Sequence, residues 1–312
     1  MTNHILVEGE FGHGAIVTPT IGNMPTVGRA TIPVDWITGY SCPELVTKNQ
    51  GQSSSCGGQM VAYGGEIDTG TPKSAKFPYC QVFVKGGGSS EKDLLKILVT
   101  EGLCDESLLP SYEQGNPPSE YFMENNSTIT PIILLNARTD QSIPEYVDLS
   151  FDGIAEAIRD HKKCYVGLYG VNNGYWLTAD PKPPVGALNP SMWAHWLMFG
   201  KYGMRNGKRV LGFKNSWGNI GENGWQYITE DYLPYIFSAW TSVKGSGYKF
   251  YQNMWFGMSN QDVFALQARL GIKPTGWFGP MAFANVIAYQ KANGISGTGF
   301  VGPLTRAKLN SS

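Results

Sequence analysis

The sequence predicts an α+β fold of two lobes, one helical and one built of strands, with a small three-helix module appended at the C-terminus. Three observations carry this. Ahead of the C-terminal module, helical apolar spacing precedes residue 164, and strand-like runs separated by Gly and Asn turns follow it. One sequence pattern then repeats at an offset of 23 residues near the C-terminus.

Residues 1–31 are rich in Gly, Thr and Pro with weak periodicity and read as an extended arm. Ile32-Pro33-Val34-Asp35-Trp36 opens the compact region. A helix should start at Cys56 and carry Met60, Val61 and Ala62, with Gly64-Gly65 ending it early. Ser90-Glu91-Lys92-Asp93 has the form of a capping box ahead of an apolar face of Leu94, Leu95, Ile97 and Leu98. Another helix is predicted over about 152–163, with Ser150 as its cap. Cys164–Val171, Ala194–Phe199, Arg209–Lys214 and Trp225–Thr229 read as strands. A helical half followed by a β half suggests two lobes with a cleft between them.

Lys244-Gly245-Ser246-Gly247 reads as a flexible linker, taken as 244–258. Beyond it, Ala265-Leu266-Gln267-Ala268-Arg269-Leu270-Gly271 matches Ala288-Tyr289-Gln290-Lys291-Ala292-Asn293-Gly294. Thr275-Gly276-Trp277-Phe278-Gly279-Pro280 matches Thr298-Gly299-Phe300-Val301-Gly302-Pro303. Each unit is helix, turn, then Gly-Pro with the proline at the first position of the next helix, where its missing N–H costs nothing. The apolar residues Leu266, Leu270, Phe278, Val286 and Ile287 are the expected core of this module.

Composition sets the class. The chain has 312 residues, 42% of them hydrophobic and 16% charged, which is globular and excludes disorder. The net charge of −1 conceals a split: from Gly245 onward six basic residues face the single acid Asp262, giving +5 and leaving −6 for the rest. A basic module is drawn to anionic surfaces. No basic run points to nucleic acid, and no paired Cys/His spacing or phosphate-cradling loop points to a metal or nucleotide. The N-terminus lacks a charged start and an apolar core, so no secretory signal is expected and synthesis in the cytoplasm is. The aliphatic stretch near Pro131–Leu135 is too short to span a bilayer. Five cysteines (42, 56, 80, 104 and 164) are an odd count, and reduced buried thiols are expected.

Three short segments carry chemistry: Gln50-Gly51-Gln52-Ser53-Ser54-Ser55-Cys56, a lone His195, and Lys214-Asn215-Ser216-Trp217-Gly218. Cysteine nucleophiles act as thiolates, and a helix N-terminus with a neighbouring imidazolium lowers the thiol pKa to about 3.5–7.5. Cys56 is placed at such a helix start. His195 would supply the cation and later protonate the leaving amine. Asn215 would accept the other imidazole N–H, and Trp217 would shield that bond from water. Gln50 would donate to the oxyanion beside the Cys56 N–H, with Gln52 as rival donor. His4, His13 and His161 are given no role.

Asn49-Gln50-Gly51, Cys56, His195 and Asn215-Ser216-Trp217-Gly218 followed by Gly221-Glu222-Asn223-Gly224 resemble a papain-like cysteine peptidase over residues 32–243. The resemblance implies the papain-like two-lobed fold, a helical lobe and a β-barrel-like lobe with a cleft between, together with peptide-bond hydrolysis and a Cys-His-Asn site. The chain departs from the family pattern at Gly57, where an aromatic residue often follows the nucleophile, and at Ser53, where a cysteine is common. Ile220 stands where an aromatic residue often sits.

The duplicated segment resembles a bacterial peptidoglycan-binding domain over 259–312, which implies a wall polymer as partner. Trp277 and Phe300 are its candidate sugar-stacking residues. The expectation is a monomeric, cofactor-free cysteine endopeptidase held at bacterial cell wall and acting on peptide or protein after release from the cell. Two alternatives stand beside it: an endolysin-like hydrolase of peptidoglycan peptides, and a wall-binding protein with an inactive peptidase fold.

Overall fold

In the computed structural model, residues 14–17, 32–244, 250, 252–272 and 275–311 are described, with 261, 264 and 268 described by backbone alone. Most of the arm assigned to 1–31, including His4 and His13, lies outside the described residues, as do 245–249 and 251 of the linker.

The described chain begins with a two-residue strand β1 (Ala15–Ile16), followed by β2 (Tyr40–Ser41). Helices α1 (Cys56–Thr69) and α2 (Lys76–Val82) come next, then β3 (Ser89–Ser90) and α3 (Glu91–Thr100). After α4 (Glu120–Glu124) and α5 (Pro131–Arg138), the texture changes. The remaining strands are β4 (Ser142–Tyr146), β5 (Cys164–Val171), β6 (Met192–Arg205), β7 (Lys208–Lys214), β8 (Trp225–Ile228) and β9 (Ile236–Lys244), with α6 (Phe151–His161) between β4 and β5. The C-terminal helices are α7 (Gln261–Arg269), α8 (Pro280–Ala292) and α9 (Pro303–Ser311).

Local rules explain the ends. Ser90 accepts from the Asp93 N–H to cap α3, and Ser150 accepts from the Gly153 N–H to cap α6, both as the sequence predicts. The predicted early end of α1 does not occur. Gly64 and Gly65 lie inside the helix, which runs on to a left-handed Gly70. Their missing side chains serve packing: a Cβ on Gly64 would stand 1.8 Å from the Tyr165 hydroxyl. Pro280 and Pro303 open α8 and α9.

The larger sheet is antiparallel, in the order β4-β9-β5-β6-β7-β8, with β2 pairing on β6; it does not close into a barrel. Strand β9, unforeseen in the sequence, lies between β4 and β5. It follows a 3-10 segment containing Pro234, and six of its nine residues are buried, five of them in succession from Ser238 to Ser242, so it carries no period-2 signature. Two cores flank the sheet. One holds α6 with Trp176, Trp193 and Trp217; the other holds α1 and α3 with Trp196 and Trp240. A separate core around Phe250, Leu266, Phe278, Val286 and Leu309 holds α7–α9 together. Because α1 packs on β6, the first residue of α1 meets the middle of β6.

Candidate active site

Cys56 is the first residue of α1, and its thiol lies against the backbone of Trp196, the neighbour of His195 in β6. His195 Nε2 is 3.1 Å from Asn215 Oδ1. Asn215 directly follows β7, which pairs with β6, so the sheet itself delivers the amide to the ring. The Asn215 amide NH2 donates to Gln226 Oε1 at 2.6 Å, which fixes Oδ1 as the acceptor towards the imidazole. Nε2 therefore carries the hydrogen, and Nδ1 is the basic nitrogen of the neutral ring.

Gln226 was not singled out in the sequence, yet it anchors the site. It is fully buried and its own amide donates to the Trp176 and Thr178 carbonyls. Trp176 and Trp193 were missed as well. With Trp217 they enclose the imidazole, their ring centroids 6.4, 6.0 and 4.8 Å from it. Water is thereby kept from the His195–Asn215 bond, whose strength rises in a low-dielectric setting.

Gln50 reaches the site through backbone pairing. Its N–H donates to the Ser216 carbonyl and the Gly218 N–H donates to Lys48, joining residues 48–50 to 216–218. Ser216 ties the two functional amides together: its N–H donates to Asn215 Oδ1, and its hydroxyl donates to Gln50 Oε1 at 2.5 Å. The Gln50 amide NH2 donates to the Ser53 carbonyl at 2.7 Å with one of its two hydrogens. Gln50 is buried, whereas its rival Gln52 is exposed.

The departures from the family pattern have local causes. A Cβ on Gly57 would stand 2.2 Å from Ser89 Oγ and 2.7 Å from Leu94 Cδ1, and the Trp196 indole fills the adjoining space. Ser53 replaces a cross-link with hydrogen bonds: its hydroxyl donates to the Gln50 carbonyl at 2.7 Å and lies 2.8 Å from Ser55 Oγ. Ile220 packs on the tryptophan-rich core. All five cysteines are free and buried.

One expectation is not met in this state. Instead of being lowered, the Cys56 thiol is pushed up to about 12 by burial, against which the backbone groups of Trp196, Gly14 and Gly57 pull down. Part of the packing around the thiol comes from residues near the start of the chain. Gly14 reaches the thiol, its carbonyl accepts from the Ser89 N–H at 2.8 Å, and β1 pairs in parallel with β3. Residues 14–17 thus lie along the edge of the helical lobe beside Cys56.

In the C-terminal module the repeated glutamines are scaffold. Gln267 Oε1 accepts from the N–H groups of Thr275 and Gly276, while its NH2 donates to the Trp277 carbonyl. Gln290 grips Gly299 and Phe300 in the same way. Trp277 and Phe300 project outward, 50% and 41% exposed. They do not share a site: Phe300 lines an open pocket of about 700 Å³ with Gln290, Asn293, Thr305 and Lys308, and Trp277 packs edge-on to Phe256. Among the described residues no cluster of His, Cys, Asp or Glu could hold a metal, and no helix is long and apolar enough to cross a membrane.

Residues 259–309 match the family described as "Putative peptidoglycan binding domain". No curated protein sequence matches the chain. Among solved structures, the cysteine protease xylellain from Xylella fastidiosa superposes with a TM-score of 0.62 at 16% identity, covering 74% of this chain and 96% of that one. ProCathepsin B S9 from Trypanosoma congolense gives 0.55 at 13% identity, covering 74% and 86%. The digestive procathepsin L 3 of Tenebrio molitor larval midgut gives 0.53 at 17% identity, covering 70% and 73%. The chain has the papain-like cysteine protease fold, followed at its C-terminus by a peptidoglycan-binding-type domain.

Proposed function

We propose that this protein is a cysteine endopeptidase that works through Cys56, His195, Asn215 and Gln50 and is addressed to bacterial cell wall by residues 259–312. Residues 32–243 would be the catalytic domain and 244–258 the tether. The observation that carries the reading is the His195–Asn215 hydrogen bond inside its tryptophan enclosure, with Cys56 at the start of a helix packed on the same strand.

In the reaction, His195 Nδ1 takes the thiol proton and Cys56 Sγ attacks the peptide carbonyl. The oxyanion is held by the Cys56 N–H and the side-chain amide of Gln50. The C–N bond then breaks, and His195 returns its proton to the leaving amine. Water, activated by the same imidazole, hydrolyses the thioester to a carboxylate and restores the thiol. Residues 14–17 hold the enzyme latent until they leave the thiol. Tethering to the wall raises the local enzyme concentration there.

The family match at 259–309 also favours a second reading, hydrolysis of the wall peptides themselves. New amino groups released from bare sacculi and from denatured casein, with Cys56→Ala as blank, separate the two. Release from casein alone identifies a wall-addressed protease, and release from sacculi identifies a lysin. Release by the blank equal to that of the parent protein refutes both.

A further inference from the structure

We propose that the gap beside the nucleophile is a glycine slot, so that the enzyme selects peptides with glycine at the residue seated against Cys56. This inference rests on Cys56 being the nucleophile.

The chain's own segment displays the fit. Residues 14–16 lie as an extended strand on the edge formed by Ser89 and Ser90, the manner in which a peptide adds to a sheet edge. The residue that reaches the thiol is Gly14. A Cβ built on it would stand 2.0 Å from the Ser54 carbonyl oxygen, 2.7 Å from Ser54 Cβ and 2.8 Å from Gly88 Cα. Backbone closes the gap on both sides, so no rotamer change relieves the clash. The reverse contact is equally close: a Cβ on Gly88, which sits at φ +91°, would stand 2.4 Å from the Gly14 carbonyl oxygen.

The two walls are also tied to each other. The Ser54 N–H donates to one oxygen of Glu120, and the Tyr79 hydroxyl donates to the other. The same Tyr79 hydroxyl accepts from the Gly88 N–H at 2.9 Å. One carboxylate and one phenol therefore link the loop before the nucleophile to the opposite edge of the gap and fix its width. Glu120 and Tyr79 are positioning residues, acting through Ser54 and Gly88. The ligand chemistry is a glycyl peptide, whether from a glycine-bridged wall or a glycine-rich protein. Glycine is achiral, so at this residue the slot does not distinguish a wall peptide from a protein.

The test uses the full chain carrying Gly14→Leu, which expels the covering residue. Alkylation of Cys56 by iodoacetamide is followed by mass while a peptidyl-glycinal or the matching peptidyl-L-alaninal competes as a reversible thiohemiacetal. The glycinal should protect at about 10- to 100-fold lower concentration, the range expected when one extra carbon is forced into a rigid site. Tyr79→Phe, which breaks the bridge, should narrow that ratio while Cys56 is still alkylated; a purely structural role would leave the ratio alone. Equal protection by both aldehydes, or by neither, overturns the slot while leaving the nucleophile intact. Absence of alkylation at Cys56 refutes the nucleophile itself, and the slot falls with it. Amino groups released from glycine-bridged sacculi locate the ligand in the wall, and release from denatured collagen alone locates it in protein. Release from sacculi whose bridges and stem peptides contain no glycine overturns the proposal.

Discussion

The papain-like region and the C-terminal repeats are built on opposite plans. Gln50 and Ser216 meet across 166 residues, and the Tyr63 hydroxyl reaches the Asn215 carbonyl across 152. In the repeats, Gln267 and Gln290 each close a turn only eight to ten residues away. The first plan makes the site depend on the whole sheet. The second makes each unit a local object that folds with little loop-closure cost. The plans also differ in what their recognisable residues do. Cys56, His195 and Asn215 are the residues proposed to carry the chemistry, whereas the repeated glutamines face inward and hold the turn that presents Trp277 or Phe300.

The largest effect expected is from Cys56→Ala. Peptide hydrolysis should fall by at least about 10⁴-fold, as when a nucleophile is removed from a unit that acts together. Residual hydrolysis near the parent rate would dissolve the contrast, leaving both regions as scaffold. The cover over the thiol comes next. Burial holds the Cys56 pKa up at about 12, so below that value its thiolate fraction rises about tenfold per pH unit. Alkylation of the parent protein should climb steadily from pH 7 to 11. Gly14→Leu should bring a plateau to lower pH and raise the rate at pH 7.5 by about 10²-fold or more. A profile that Gly14→Leu leaves unmoved would show that residues 14–17 do not set the thiol's state.

Gln50→Ala should cost about 10²–10³-fold in kcat, the usual loss of one oxyanion donor, while Gln52→Ala should cost nothing measurable. The reverse ranking would move the donor to the exposed residue. In the repeats, Gln290→Ala leaves the Gly299 N–H and the Phe300 carbonyl without their buried partner. It should destabilise α7–α9 by about 1–3 kcal/mol in a denaturant melt, with hydrolysis of a soluble peptide unchanged. A matching loss of peptide hydrolysis would mean that the two regions are not energetically separate.

These contrasts also explain what could be read in advance. Cys56, His195 and Asn215 were legible because their chemistry fixes residue type and order, and the repeats because two copies of one pattern check each other. Gln226, Trp176 and Trp193 were not: a glutamine in a strand and tryptophans in apolar runs look like any core, and only the pairing of β6, β7 and β8 brings them to the imidazole. Strand β9 was missed because it is buried on both faces and lacks alternation. The raised thiol pKa was hidden for another reason. It comes from burial, with Gly14 among the groups packed against the thiol, and nothing in the sequence of residues 14–17 says that they return to Cys56.

The smallest effect tests the repeats against each other. Trp277 and Phe300 occupy equivalent positions in the duplicated pattern, yet their surroundings differ. Phe300 opens onto a pocket whose lining also carries the Asn293 amide and the Lys308 ammonium, whereas the Gln290 and Thr305 groups at its floor are bonded to each other. Trp277 has the Phe256 ring 6.3 Å away and lies outside that pocket. Phe300→Ala should therefore weaken cosedimentation with sacculi by about 2- to 10-fold, as expected for loss of one aromatic contact of about 0.5–1.5 kcal/mol. Trp277→Ala should weaken it less, and neither should shift the melt that Gln290→Ala lowers. Equal losses would make the duplication functional as well as structural, with two surfaces gripping the wall. A larger loss from Trp277 would move the binding site to the face shared with Phe256 and leave the pocket beside Phe300 without a ligand.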